Sequence, residues 1–212
     1  DKSLVNTVTH HIHEEEFHMR TIKKVASHIF IDGFGGMTQG LFATLIIGTM
    51  IQQIGLLIGG STGNVIYLLG KAAAALTSAG IGVGVAVKYG ESPLVTVSAA
   101  VAAMVGGYAG KITGGTFFVD GNAVLAGPGE PLGAFIAAFA GITCGHLVSG
   151  KTKVDIIVTP VITIGAGSVV GLLVGPPISQ MMTGLGSIVS WATGQRPFIM
   201  GIVVSVGMGM VL

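Results

Sequence analysis

The sequence predicts an all-α protein, a polytopic transmembrane helical bundle with a re-entrant hairpin. Three observations predict it. Half of the 212 residues are hydrophobic and only 9% are charged. Ordinary soluble domains carry about a quarter charged residues, so this chain has too little charge to cover a soluble surface. There are 36 glycines, and glycine lets membrane helices approach closely. Apolar runs of spanning length alternate with short basic clusters, and one polar, glycine- and proline-rich stretch, Lys111 to Gly133, separates two of them. Hydrocarbon offers no water to unpaired backbone. Broken backbone at that depth survives only inside protein or against a wet cavity.

The elements follow in order. Residues 1–28 are polar with a patchy apolar side formed by Val5, Val8, Ile12, Phe17, Ile22 and Val25, the pattern of an amphipathic helix on the membrane surface. Arg20, Lys23 and Lys24 precede the first apolar run and place the N-terminus in the cytoplasm. Residues 29–212 form the transmembrane domain, with about six spans. Span one covers about Met37 to Leu57, and Gly59 to Gly63 is an uncharged turn. Span two covers about Val65 to Val87 and carries Lys71. Lys88 and Glu91 return the chain to the cytoplasm. Span three covers about Pro93 to Gly110 and span four about Pro131 to Val148, closed by Lys151 and Lys153. Between them, residues 112–130 dip into the membrane and return without crossing, which keeps every basic cluster on one side. Span five covers about Val154 to Val174, is interrupted at Pro160 and ends at Pro176-Pro177. Residues 178–194 are a sixth span or an interfacial helix. Pro197 to Leu212 is apolar but shorter than the roughly 20 residues of a helical span. The chain is therefore expected to stop within a membrane helix, truncated or with its remainder disordered or cleaved. It opens on Asp1, so a short preceding piece is also expected.

Small residues recur at helical spacing: Gly141 with Gly145, and Gly167 with Gly171 and Gly175. The run Gly80 to Gly84 is denser. These read as close helix contacts. A phosphate loop at Gly80 to Gly84 lacks the following Lys-Ser/Thr. Net charge is +1, so no nucleic-acid partner is indicated. The single cysteine, Cys144, lies in an apolar run and forms no internal disulfide.

Glu130 is the strongest candidate for a polar anchor. Pro131 suits the first turn of a helix, which puts Glu130 at that helix's positive end. There its carboxylate accepts hydrogen bonds from solute hydroxyls, or merely caps the helix. A charge at membrane depth favours the first role. Gly129 beside it belongs to the same candidate solute-binding set. Asp120-Gly121-Asn122 is a turn signal flanked by Thr116 to Val119 and Ala123 to Leu125. In a soluble protein it would be a β-hairpin; in a membrane it is the tip of the re-entrant hairpin. Asp120, Asn122 and Thr116 then line the site or only build the tip. Lys71 pairs with Glu130 or Asp120, or snorkels to the outer interface, and Lys111 reads as an interface anchor. His146 is a proton relay or a hydrogen-bonded helix histidine.

Two kinds of site are disfavoured. His11, Glu15 and His18 share a helical face, but the pattern is not HExxH and has no fourth ligand, so no metal is expected. No nucleophile and base are paired in the sequence, which argues against a membrane enzyme. No cofactor is expected.

The run Gly127-Pro128-Gly129-Glu130-Pro131, followed by an apolar helix, resembles the Gly-Ile-Thr-Glu-Pro-type motif of membrane EIIC components of the bacterial sugar phosphotransferase system. The longer run from Gly110 to Phe135, GKITGGTFFVDGNAVLAGPGEPLGAF, is similar to the second EIIC type, including a divergent branch labelled regulators. The resemblance covers the chain from about Thr21. It implies that Glu130 contacts sugar hydroxyls beside a re-entrant hairpin. It also implies a dimer in the bacterial cytoplasmic membrane, an elevator-like shift of the site, and phosphate supplied by a separate cytoplasmic EIIB partner. The motif stands earlier here than in glucose-type members, and the spans are fewer than the family's usual complement. Within these 212 residues no stretch reads as an EIIB domain with its phosphocysteine, and Cys144, within an apolar run, does not stand in for it. The implied function is a transporter subunit for a sugar or similar small polar solute, in contact with membrane lipid. By itself it would not be an enzyme, and at most the membrane component of a sugar phosphotransferase complex. The alternative is a membrane sensor or regulator that binds a solute without phosphotransfer-coupled transport.

Overall fold

The computed structural model describes residues 28–119, 121–125, 127–193 and 201, and these are overwhelmingly helical. The expected N-terminal surface helix, with His11, Glu15 and His18, and the stretch from Pro197 to Leu212, Gly201 excepted, lie outside the described residues, as does Asp120.

The first rod is continuous. A π-helical turn (His28–Gly33) leads into α1 (Phe34–Leu41), a second π-helical turn (Phe42–Ile46) and α2 (Ile47–Ile58). Its apolar part, Ile31–Ile58, has 28 residues. At 1.5 Å per residue it measures about 42 Å, enough to cross a hydrocarbon core of roughly 30 Å.

The chain reverses at Gly59 and Gly60, both at φ 65°, where glycine alone is unstrained. The turn is shorter than the sequence suggests: α3 (Gly60–Ala75) begins at once. The expected second span is also not one straight helix. It breaks at Leu76, and α4 (Thr77–Lys88) leaves at 52° to α3.

Glycines zip the two rods together. Gly36 meets Gly84, Gly40 meets Gly80, Gly48 meets Gly70 and Gly55 meets Gly63. A Cβ on Gly36 would stand 2.6 Å from the Gly84 carbonyl oxygen, and one on Gly48 would stand 2.8 Å from that of Gly70. Such contacts exist only because no Cβ is there. Between Gly40 and Gly48 lies the second π turn, and between Gly70 and Gly80 lies the break at Leu76. The register change between upper and lower glycine pairs is taken up in that interval.

The other face of α4 enters the main bundle. Helix α5 (Pro93–Gly107) starts from Ser92, whose hydroxyl accepts from the Val95 N–H at 3.4 Å. Tyr108 kinks the chain, and the short α6 (Ala109–Thr113) follows. Helix α7 (Pro131–Val148) begins at Pro131, as its ring predicts. Ile81, Val85, Val95, Ala99, Phe135 and Ile142 form the centre of the packed core.

Helix α8 (Asp155–Thr193) is the largest departure from the expected spans. Pro160, Pro176 and Pro177 all lie inside it. The expected interruption at Pro160 and stop at Pro176-Pro177 do not occur, and residues 178–193 continue the same helix. In water an internal proline costs about 3 kcal/mol. In hydrocarbon, ending the helix exposes far more unpaired backbone, so the helix runs on. Its inner face carries Thr159 and Thr163, both fully buried. Their hydroxyls donate to Asp155 Oδ1 at 2.6 Å and to the Thr159 carbonyl at 2.8 Å. The glycine repeats read from the sequence sit at this contact: a Cβ on Gly141 would lie 2.6 Å from the Thr163 carbonyl, and one on Gly171 2.8 Å from Gly106.

Among the described residues, Ile31–Ile58, Pro131–Val148 and Asp155–Ser187 are each long and apolar enough to cross a membrane, and the bent α3–α4 pair passes the same test jointly. The protein is a multi-pass, all-α membrane bundle.

Gly48→Leu should open the glycine zipper and lower stability by about 1–3 kcal/mol, as overpacking does. Gly165→Leu is the matched control, since nothing lies within 4 Å of its Cβ position. Thermal unfolding in detergent should show a clear loss for the first and almost none for the second.

Candidate functional site

The broken segment between α6 and α7 has two parts. The first is an exposed β-hairpin, β1 (Phe118–Val119) against β2 (Asn122–Ala123), in antiparallel register with Phe118 opposite Ala123 and Val119 opposite Asn122. The β-hairpin expected of this stretch in a soluble protein is thus present, with Gly121 at φ 77°. The hairpin is tied to α6 by the Thr116 and Phe117 N–H groups, which donate to the Lys111 carbonyl at 2.9 and 3.1 Å. Phe117 packs against Tyr108 with ring centroids 5.4 Å apart.

The second part, Gly127 to Glu130, is sewn into the bundle. The Glu130 N–H donates to the Gly107 carbonyl at 2.7 Å. The Ser78 hydroxyl donates to the Pro128 carbonyl at 2.9 Å. The Tyr108 hydroxyl reaches the Gly127 carbonyl and lies 3.2 Å from that of Ala75. Gly129 stands at φ 77°, and a Cβ on it would be 2.5 Å from the Ser78 Oγ and 3.0 Å from the Gly107 oxygen. Glycine is required there twice over, by conformation and by space. The break at Leu76 makes this possible, because it leaves the Ala75 carbonyl and Ser78 beside the loop.

A cavity of about 290 Å³ opens at this junction, lined by Gly107, Gly110, Lys111, Pro128, Gly129, Glu130 and Ser179. It lies near the lower end of the roughly 300–1,000 Å³ typical of small-ligand pockets. Glu130 precedes α7 in an extended conformation, and its side chain makes no capping hydrogen bond. The charge on Lys111 acts on the Glu130 carboxylate, and its ammonium stands 5.2 Å from the centre of the Tyr108 ring. The cavity thus offers the Glu130 carboxyl group, the Lys111 side chain and the neutral Ser179 hydroxyl.

The candidates from the sequence separate. Glu130 and Gly129 line the cavity. Thr116 and Asn122 are exposed in or next to the hairpin. Lys71 is exposed on α3 and forms no ion pair among the described residues. The cation at Glu130 is Lys111, whose sequence position suggested only an interface anchor. His146 lies at the far end of α7, about 24 Å from Glu130 by helical rise. Its Nδ1 is 3.0 Å from Glu91 Oε1, a hydrogen-bonded helix histidine joining α7 to the α4–α5 turn. Ser78 and Ser179 carried no sequence signal. Each is a serine in a largely apolar helix, and only packing brings it to the loop. Among the described residues no group of acidic, histidine or cysteine side chains is arranged to hold a metal.

A polar cavity at broken backbone, enclosed by a multi-pass helical bundle, is the arrangement of a membrane transporter component. A model of the family described as phosphotransferase system, EIIC matches residues 31–212, and the chain belongs to that family. It is at most the membrane component of a phosphotransferase complex. No curated protein and no solved structure matches the chain.

Gly129→Ala should destabilise the protein more than Gly121→Ala. Both incur a left-handed backbone cost of about 1–2 kcal/mol, but Gly121 has open space around it. In a double-mutant cycle, Ser78→Ala should offset part of the Gly129→Ala loss, because it removes the atom the new Cβ meets. Unfolding midpoints of the variants measure both effects.

Proposed function

We propose that the protein carries a sugar, or a similar small polar solute, across the bacterial cytoplasmic membrane through the Glu130 cavity. The single observation that carries this reading is that Glu130 and Lys111 line one cavity whose backbone walls are already paired. With the walls fixed by their own hydrogen bonds, the Glu130 carboxyl group and the Lys111 ammonium are the charged groups at which a ligand would be recognised. Glu130 accepts hydrogen bonds from solute hydroxyls, and Lys111 and Ser179 donate to ring or hydroxyl oxygens. Gly129 admits the solute close to the backbone. Charge-assisted hydrogen bonds of this kind are the stronger ones.

The same proposal makes residues 112–130 a re-entrant segment, with Thr116, Asp120 and Asn122 at its tip near the solute route. Lys71 snorkels at the outer interface, and His146 holds the cytoplasmic end of α7. The N-terminus is cytoplasmic, following the basic clusters. Membership of the EIIC family supports a sugar substrate and a cytoplasmic EIIB partner that phosphorylates the solute as it is released. The working unit is a homodimer in which α6, the loop and the start of α7 shift together and expose the site alternately to the two sides.

Purified protein in proteoliposomes should take up one or more members of a panel of radiolabelled hexoses, pentoses and hexitols. Removing a charged hydrogen-bond partner costs about 1.5–3 kcal/mol, so Glu130→Gln should weaken apparent solute affinity by roughly 10- to 100-fold. Lys111→Met should act in the same direction. Solute binding without flux in the unsubstituted protein would overturn transport, and full activity in Glu130→Gln would overturn the site.

A further inference from the structure

Helix α8 passes its two adjacent prolines and then presents polar side chains to a second cavity. This cavity measures about 420 Å³ and lies between the Gly110–Gly114 backbone and the α8 turns from Pro176 to Thr183. Gly110 and Ser179 line both this cavity and the one at Glu130. They form the wall between them, and a Cβ on Gly110 would stand 2.8 Å from the Ser179 Oγ. Ser179 and Thr183 are four residues apart and share one helix face.

The chemistry of the second cavity differs from that of the first. It contains no charged side chain. Thr113 and Thr183 donate their hydroxyl protons to the Ala109 and Ser179 carbonyls, at 2.9 and 2.8 Å. Their oxygens are therefore left as acceptors. The Gln180 amide and the Ser179 hydroxyl form no hydrogen bond among the described residues, so they offer both donors and acceptors. A set of neutral donors and acceptors matches a chain or ring of hydroxyl groups.

We propose that this cavity is a second, uncharged subsite for a neutral polyhydroxylated solute, joined to the Glu130 cavity past Ser179. The inference rests on the transport reading above and adds to it a resting place and a direction of travel along α8.

The test uses the single cysteine. In a Cys144→Ala background, Ser179→Cys, Gln180→Cys, Thr183→Cys and, as a lipid-facing control, Leu173→Cys are introduced one at a time. Leu173 is 73% exposed on the apolar outer side of α8. Each variant in proteoliposomes is treated with a charged methanethiosulfonate reagent. A thiol in water ionises and reacts, whereas one in hydrocarbon does not, so Gln180→Cys and Thr183→Cys should react at least about tenfold faster than Leu173→Cys. A sugar from the panel that slows labelling at Ser179→Cys should slow it at Thr183→Cys as well. Thr183→Cys reacting as slowly as Leu173→Cys would show a lipid-filled groove and overturn the subsite. Protection at Ser179→Cys alone would overturn the subsite and leave the transport reading standing. Protection at none of the positions by any sugar in the panel would overturn both.

Discussion

The hydrogen bond from the Glu130 N–H to the Gly107 carbonyl, 2.7 Å long, is the constraint on which the site depends. Helix α5 ends at Gly107 and α7 begins at Pro131, so each helix leaves backbone groups without an intrahelical partner. In a membrane bundle water is not there to satisfy them. Here the end of one helix satisfies the start of the other, and the loop between them needs no solvent at its return. Ser78 and Tyr108 complete the pairing for Pro128 and Gly127. With its backbone held, Glu130 lines the cavity together with Lys111.

That junction requires close backbone approach, and glycine supplies it. Gly106 and Gly133 face each other where α5 meets α7, and Gly171 packs onto Gly106 from α8. Larger residues at these positions would push the helices apart and draw Glu130 away from Gly107. The same logic, applied to Gly36, Gly40, Gly48 and Gly55, holds the first two rods together. Little hydrophobic driving force exists between helices in lipid, so packing and internal hydrogen bonds, such as those of Thr159 and Thr163, fix the arrangement.

Departures from regular helix concentrate around the cavity. The α3–α4 bend at Leu76, the break at Tyr108 and the loop before Pro131 come together there, and Pro176 of α8, which has no N–H to give the helix, borders the adjoining cavity. Each interrupts the helical backbone pairing that hydrocarbon favours. Their convergence builds a polar centre inside an otherwise apolar bundle.

The all-α membrane class was legible in the near absence of charge, and the first span, the start of α7 at Pro131 and the Asp-Gly-Asn turn were legible in local patterns. These depend on short-range physics, namely hydropathy over a helix length, the fixed φ of proline and the turn preference of glycine. Glu130 was legible too, as an acid between glycine and proline among apolar runs. The continuity of α8 was not. Proline ordinarily stops a helix, and only burial in hydrocarbon against α5 and α7 reverses that outcome. The bend at Leu76 likewise has no proline to announce it. Lys111, Ser78 and Ser179 could not be assigned to the site from spacing, because they come from three different helices. Composition and local pattern determined that this chain enters a membrane and breaks near Glu130. Tertiary packing alone decided which distant side chains surround that carboxylate, since helix contacts through glycine carry no periodic signal that names the partner.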